Sequence, residues 1–141
     1  MKHLRQPEGS SCCGQTCVAM VTGKSLYNVT SVFGDHGTHY TTLRSAIVSV
    51  GGWKYGLGPI ILARGKNGIP RRGTYIAKAI WSRKPHASHF IVVHHGRVYD
   101  PGWDTPVKLD DWLAVQRQRY TSPNFYLTSW VEVQYGVAKY A

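Results

Sequence analysis

The sequence has very few acidic residues, and none at all between Asp35 and Asp100. The whole chain carries 7 Asp and Glu residues against 17 Lys and Arg residues, which gives a formal net charge of +10. Such an imbalance favours an anionic partner, and we expect an acidic peptide or protein, with nucleic acid as the alternative. The basic residues that we single out as the binding surface are Arg64, Lys66, Arg71, Arg72, Arg83 and Lys84.

Long apolar runs are also missing. The longest, residues 59–63 and 90–93, are far shorter than the roughly 20 residues that cross a bilayer. The first residues contain no apolar segment of the kind found in secretory signals. Only three cysteines are present, all between Cys12 and Cys17, which is not the pattern of a disulfide framework. We therefore expect a cytoplasmic protein with reduced thiols and no membrane span.

Hydrophobic periodicity predicts a helical first half. The 141 residues suit one domain, which we place at 1–141. Helices are expected at 13–22, 26–33 and 43–50, each followed by glycine. Ser25 is expected to cap the second helix, and Thr41 or Thr42 the third.

The second half changes to the alternation that is typical of strands. Strands are expected at 74–81, 90–93, 97–99 and 125–134, with a turn at His95-Gly96 and one more helix at 110–119. The stretch 56–73 is rich in Gly, Pro and basic residues, and it is interpreted as a long loop. Helices followed by antiparallel strands predict the α+β class.

Two of the three cysteines lie at the start of the first predicted helix, in the run Ser10-Ser11-Cys12-Cys13-Gly14. A thiol at a helix N-terminus experiences the positive end of the helix dipole and free backbone N–H groups, and both favour the thiolate. Cys13 is preferred to Cys12 as the nucleophile because Gly14, which follows it directly, allows a substrate to approach closely. Cys17 lies one helical turn further on and is expected to point into the core.

A nucleophilic thiol needs a base, and the base needs an orienting partner. His89 begins an apolar strand, and a predicted hairpin returns the chain to Asp100-Pro101 beside it. This arrangement predicts that the Asp100 carboxylate accepts a hydrogen bond from the His89 ring. His86 is the alternative base.

The order of these motifs resembles the papain-like cysteine peptidases, and within them the bacteriocin-processing family that trims double-glycine leader peptides. The matching segments, in chain order, are Gln6, Cys13-Gly14-Gln15-Thr16-Cys17-Val18-Ala19-Met20, Gly37-Thr38, the helix from Leu43 to Gly51, His89-Phe90-Ile91-Val92, Gly96 and Asp100-Pro101. The resemblance implies a papain-like fold in which a nucleophile helix packs on an antiparallel sheet. It also implies a cleaved peptide or isopeptide bond, with Cys13 as nucleophile, His89 as base and acid, Asp100 orienting His89 and Gln6 donating to the oxyanion.

Besides the peptidase, the sequence raises a metal site, which is not favoured, and two alternatives that remain open. The spacing of Cys13 and Cys17, together with His36 and His39, raises a zinc site, but structural zinc spacings are not met, so we expect no metal and no cofactor. A Cys, His and Asp set such as Cys13, His89 and Asp100 also catalyses acyl transfer to amines, as in thiol acyltransferases and transglutaminase-like enzymes. Aromatic residues interleave with basic ones between residues 53 and 84, which also fits a non-catalytic domain that binds an acidic protein or nucleic acid.

Overall fold

The structure, a computed structural model, describes residues 1–63, 68–80, 88–119 and 126–135. Four helices and seven strands lie in these ranges. In chain order they are α1 (Cys13–Thr22), α2 (Leu26–Phe33), α3 (Tyr40–Gly51), β1 (Tyr55–Leu57), β2 (Ile61–Leu62), β3 (Thr74–Ile80), β4 (Ser88–His94), β5 (Arg97–Tyr99), β6 (Val107–Lys108), α4 (Leu109–Arg119) and β7 (Tyr126–Tyr135).

Local sequence signals explain where the first helices begin and end. Gly23 ends α1 in the left-handed conformation, with φ of 71°, which costs glycine little because it has no Cβ. The Ser25 side chain caps α2 by accepting a hydrogen bond from the backbone N–H of Asn28 at 3.1 Å. The predicted cap of α3 is wrong: the helix already begins at Tyr40, after His39, so Thr41 and Thr42 lie inside it.

The strands form one antiparallel sheet in the order β1-β7-β3-β4-β5-β6, and β2 also pairs with β7. The central strand β3 pairs with both β4 and β7. Strands β4 and β5 are joined by His95 and Gly96, whose φ values of 49° and 78° fit the tight turn that closes such a hairpin. The observed mixture of helices with an antiparallel sheet is the predicted α+β class.

The sheet is covered on both faces. Its helical face packs Ile76, Phe90 and Val92 against α1–α3, where Leu43 and Ile47 are fully or almost fully buried. Burying such side chains contributes about 1.5–3 kcal/mol each to stability. The opposite face, which we call the α4 face, packs alternate strand residues against α4. The residues of this second cluster include Tyr75, Ala77, Ala79, Ile91, Val93, Leu109 and Trp112.

The prediction that residues 56–73 form one long loop is wrong. The end of β1 and all of β2 lie in this segment, and both pair with β7. Such short strands carry almost no periodicity of their own, because their hydrogen bonds depend on a partner that is distant in sequence. The short strand β6 was not predicted for the same reason.

Membrane-spanning helices were searched for in the same described ranges. None of the helices there combines the length and the apolar character that a bilayer crossing requires.

Candidate active site

The histidine of the site lies near the beginning of β4. Alternation along β4 places His89 on the α4 face with Ile91, and Asp100 follows the end of the adjacent strand β5 on that same face. The His89 Nε2 and Asp100 Oδ1 atoms are 2.6 Å apart. Asp100 is only 2% exposed, so this hydrogen bond forms in a largely dry environment. The predicted pairing of these two side chains is therefore present.

The nucleophile candidate approaches from the other layer. Cys13 is the first residue of α1, which packs on the helical face of the sheet, and its thiol is hydrogen-bonded to the His89 side chain. Since Asp100 occupies His89 Nε2, the ring nitrogen left for the thiol is Nδ1. The backbone N–H of Phe90 also donates to Cys13 Sγ at 3.5 Å. His89 thus bridges the sulfur and the carboxylate.

The charges of this trio support one another. Burial by itself would raise the pKa of the Cys13 thiol, but the hydrogen bond and the positive charge of His89 outweigh it, helped by the backbone N–H groups of Phe90 and Gly14. The pKa of Cys13 is therefore lowered from 9.0. Burial likewise opposes charge on His89, yet hydrogen bonds and charge from Asp100 and Cys13 raise its pKa to about 9. The arrangement favours a thiolate–imidazolium pair at neutral pH.

Asp100 has further partners that sequence analysis missed. Its Oδ1 also accepts the backbone N–H of Gly102 at 2.8 Å, and its Oδ2 accepts Trp112 Nε1–H at 2.9 Å. Burial alone would raise the pKa of Asp100, but these donors and His89 lower it overall. The sequence offers only a tryptophan within a helix that mixes apolar and polar residues, and nothing local connects it to Asp100.

The other two cysteines have different surroundings. Cys12, 2% exposed, donates its thiol hydrogen to the Asp35 carbonyl at 3.2 Å. Cys17 is fully buried in the core that covers the helical face, as expected, and burial raises its pKa well above 9.0. Cys13 is the thiol in contact with His89, and its pKa is lowered.

Gln6 lies close to the turn that carries Asp100. Its backbone N–H donates to the Pro101 carbonyl at 2.8 Å. Its side-chain Nε2 donates to the Ser10 carbonyl at 2.9 Å, and its Oε1 is buried without a partner among the described residues. The Gln6 side-chain nitrogen carries two hydrogens, and the Ser10 carbonyl accepts one of them.

The predicted basic surface is only partly described. Arg64, Lys66, Arg83, Lys84 and the alternative base His86 lie outside the described residues. Arg71 and Arg72 are exposed, and Arg71 pairs with Asp110 at 2.8 Å. Both arginines precede Gly73, whose carbonyl accepts the backbone N–H of His95. They therefore lie near the far end of β4, roughly 16 Å from His89 at about 3.3 Å per residue.

A metal site was also considered. Within the described ranges, which include Cys13, Cys17, His36 and His39, there is no group of three or more His, Cys, Asp or Glu side chains arranged to hold a metal ion.

The ion pair predicts a characteristic pH dependence of alkylation. We expect iodoacetamide to label Cys13 rapidly at pH 7, because its thiolate forms below pH 9.0. As pH rises, the rate should increase through the lowered pKa of Cys13, level off, and change again near pH 9, where His89 loses its proton. Peptide mapping after brief labelling measures each cysteine. A single step at or above pH 9, or equal labelling of buried Cys17, contradicts the pair.

Removing one hydrogen bond to Asp100 should weaken the pair. Trp112→Phe keeps an aromatic ring in the core but deletes the Nε1–H that satisfies Asp100 Oδ2. An unsatisfied buried acceptor costs about 1–3 kcal/mol. The pKa of Asp100 should rise, because its ionised form loses a donor. Asp100 is then protonated at a higher pH than in the wild type, and a protonated Asp100 no longer supports the positive charge of His89. The acid limb of Cys13 alkylation should therefore move to higher pH. Urea denaturation and the alkylation profile measure the two effects.

Trp130→Phe is the matched control for this substitution. Trp130 is also buried in the cluster on the α4 face, but its Nε1–H has no partner among the described residues. The control should leave both the alkylation profile and the hydrogen bonding of Asp100 unchanged. If the two substitutions shift the alkylation profile equally, Trp112 does not act through Asp100.

A scan against models of protein families matches none of them, and a search of curated proteins finds no significant match. The inference of function therefore depends on the geometry and the sequence context of Cys13, His89 and Asp100.

Proposed function

We propose that this protein is a papain-like cysteine peptidase that cleaves a peptide or isopeptide bond through a thioester on Cys13. The observation that supports this most directly is the contact of His89 with both the Cys13 thiol and the buried Asp100 carboxylate. A nucleophile, a base and an orienting group in that order are the minimal set for thiol-based acyl transfer.

The first step is attack by the thiolate on the carbonyl carbon of the substrate. A C–S bond forms and the carbonyl oxygen becomes an oxyanion. The backbone N–H of Cys13 is one donor for it, because N–H groups in the first turn of a helix have no partner within the helix. The amide of Gln6 is the second donor, through the Nε2 hydrogen that the Ser10 carbonyl does not accept.

The second step releases the amine. The His89 imidazolium donates its proton to the leaving nitrogen, the C–N bond breaks, and a thioester remains on Cys13. Neutral His89 then takes a proton from water, which attacks the thioester. The C–S bond breaks, a carboxylic acid is released, and the Cys13 thiolate and His89 imidazolium are regenerated. Asp100 holds the ring orientation and stabilises the imidazolium throughout.

The arrangement of the layers also supports a papain-like site. The nucleophile begins a buried helix in one layer, and the base and its partner belong to an antiparallel sheet. The motifs that resemble the bacteriocin-processing family, from Gln6 to Asp100-Pro101, include all four residues to which we assign roles. That resemblance makes a diglycine acyl group the natural first probe.

Burst kinetics test the proposal. With the p-nitrophenyl ester of N-acetyl-diglycine, we expect a burst of one nitrophenolate per chain, followed by slower turnover. Added glycinamide separates the two reactions that such a site supports: an amide product indicates acyl transfer, and acid alone indicates hydrolysis. A burst no larger than that of the Cys13→Ala variant contradicts the proposal.

A further inference from the structure

Lys78 is the described lysine closest to the candidate site in the sheet. It lies on the central strand β3, where its Cα partner on β4 is Phe90 and its partner on β7 is Ser129. Paired residues of antiparallel strands have Cα atoms about 5 Å apart. Phe90 follows His89 directly, and its backbone N–H donates to Cys13 Sγ. Lys78 is therefore one strand away from the catalytic pair.

The side chain of Lys78 belongs to the helical face of the sheet. Cross-strand partners share a face, and Phe90 is part of the core on that side, while the Ser129 hydroxyl lies 2.9 Å from Tyr40 Oη of α3. Tyr40 also forms a hydrogen bond with the backbone of Lys78, and its ring contacts Phe90 edge-on at 5.2 Å. Cys13 and Lys78 are thus joined by a short series of contacts through Phe90 and Tyr40.

The helical face opens towards solvent at this point. Ile76, two residues earlier on the same face, is fully buried beneath the helices, whereas Lys78 is half-buried. A lysine side chain in such a position lays its apolar stem on the core and directs its ammonium group to the open end of the face. This is also the end of the sheet that holds His89, since Lys78 and Phe90 are paired.

The ammonium group of Lys78 has no acidic side chain beside it in the part of the chain that the structure describes. All seven Asp and Glu residues of the chain lie in the described ranges. None of these seven side chains lies within 4.0 Å of the Lys78 ammonium group: Asp100 pairs with His89, Asp104 with Arg5, and Asp110 with Arg71. Lys78 is thus a half-buried cation one strand away from the backbone that contacts the Cys13 thiol, with no acidic side chain to neutralise it, and it is available to bind an anion.

We infer that Lys78 binds a carboxylate of the substrate next to the bond that Cys13 cleaves. This inference rests on the proposed peptidase function, and it names the substrate class: peptides with a carboxylate close to the scissile bond. Two sources supply that group, an acidic side chain or the C-terminal carboxylate of the peptide. Lys78, rather than the distant Arg71 and Arg72, then selects the acidic substrate that the net charge favours.

The effect of the Lys78 charge on Cys13 can be tested with two small alkylating agents, without any turnover of substrate. Iodoacetate carries a carboxylate and iodoacetamide does not, and both alkylate Cys13. Lys78→Met keeps an unbranched side chain and removes the charge. We expect this variant to lower the ratio of iodoacetate to iodoacetamide rates about 3- to 10-fold, the scale of one unit charge several Å away in a half-exposed site. The iodoacetamide rate itself should stay unchanged.

Two variants serve as controls for the alkylation ratio. Lys78→Arg retains the charge and should retain the ratio. Lys24→Met removes an exposed lysine just beyond the other end of α1 and should also retain it. Added NaCl should reduce the wild-type ratio, because exposed charges are screened. A ratio that is the same in wild type and Lys78→Met overturns the inference.

Peptides then identify the source of the carboxylate. The peptides of one set carry a single Asp at successive positions around the cleaved bond, and a matched set carries Asn at the same positions. At one position we expect the Asp peptide to have a kcat/KM at least 5-fold higher than its Asn counterpart, mainly through a lower KM. If the C-terminal carboxylate is the source, the same gain appears instead between a peptide acid and its amide. Either gain should disappear in Lys78→Met, and the absence of both gains overturns the inference.

The proposed peptidase function and the role of Lys78 can be rejected separately. If Cys13 alkylates no faster than an ordinary thiol and no ester or peptide turns over, the proposed peptidase function fails, whatever Lys78 does. If turnover is normal and the Lys78→Met ratio is unchanged, the peptidase function stands and the role of Lys78 is rejected.

Discussion

Replacing Cys13 with alanine is expected to abolish turnover of the diglycine ester and of any peptide substrate, because no other group forms the thioester. Cys12→Ala is the matched variant, one residue away. Cys12 is almost fully buried, and its thiol donates to the Asp35 carbonyl rather than contacting His89. We expect Cys12→Ala to retain the rate within a few-fold. Steady-state assays of both purified variants, with circular dichroism to check folding, measure the difference.

Two other outcomes of the cysteine substitutions would contradict this expectation. If Cys12→Ala loses turnover while Cys13→Ala keeps it, the assignment of the nucleophile is wrong. If Cys13→Ala keeps the cellular effect of the protein unchanged, the domain acts as a non-catalytic binder of an acidic partner.

The second large effect is expected for His89→Ala. Base and acid are lost together, so the rate of peptide cleavage should fall by about 10²–10⁴, the usual contribution of one general acid–base group. The thiol should also become less reactive, since burial raises the pKa of Cys13 once the charge and hydrogen bond of His89 no longer oppose it. Both the cleavage rate and the iodoacetamide rate at pH 7 measure this substitution.

His86→Ala is the control for the histidine assignment. His86 is three residues earlier in the chain and was the alternative base in the sequence. Its removal should leave the rate within a few-fold and the alkylation profile unchanged. A His86→Ala variant that is as inactive as His89→Ala contradicts the assignment of a single base.

Turnover by the wild-type protein should show two pH limits. On the acid side, activity should fall as Cys13 is protonated, at a pH below 9.0 because its pKa is lowered. On the alkaline side, peptide cleavage should fall near pH 9, where His89 loses the proton that the leaving amine needs. Ester cleavage should depend less on this second limit, since nitrophenolate leaves without a proton.

Local signals in the sequence were sufficient for the elements that carry the trio. The helix beginning at Cys13 was bounded by a glycine at its end, and the strand containing His89 was marked by a β-branched and aromatic run. The hairpin turn at His95-Gly96 indicated that β5 returns beside β4, which brings Asp100 close to His89. These features depend on adjacent residues, so a single sequence contains them.

The parts that sequence reasoning missed depend on contacts between distant residues. The two residues of β2 form a strand only because they pair with β7, more than 60 positions later. The hydrogen bond from Trp112 to Asp100 depends on how α4 packs on the sheet, which no spacing in the sequence specifies. The half-buried position of Lys78 beside Phe90 likewise follows from strand register rather than from the basic composition.

Mapping of the acyl group tests the central claim most directly. The protein is mixed with N-acetyl-diglycine p-nitrophenyl ester, quenched in acid within the burst, digested, and analysed by tandem mass spectrometry. The account predicts one acyl group per chain on Cys13, none on Cys12 or Cys17, and almost none at this time in the His89→Ala variant. Acyl groups on Cys12 or on lysines alone, or equal acylation of Cys13 without His89, would contradict it.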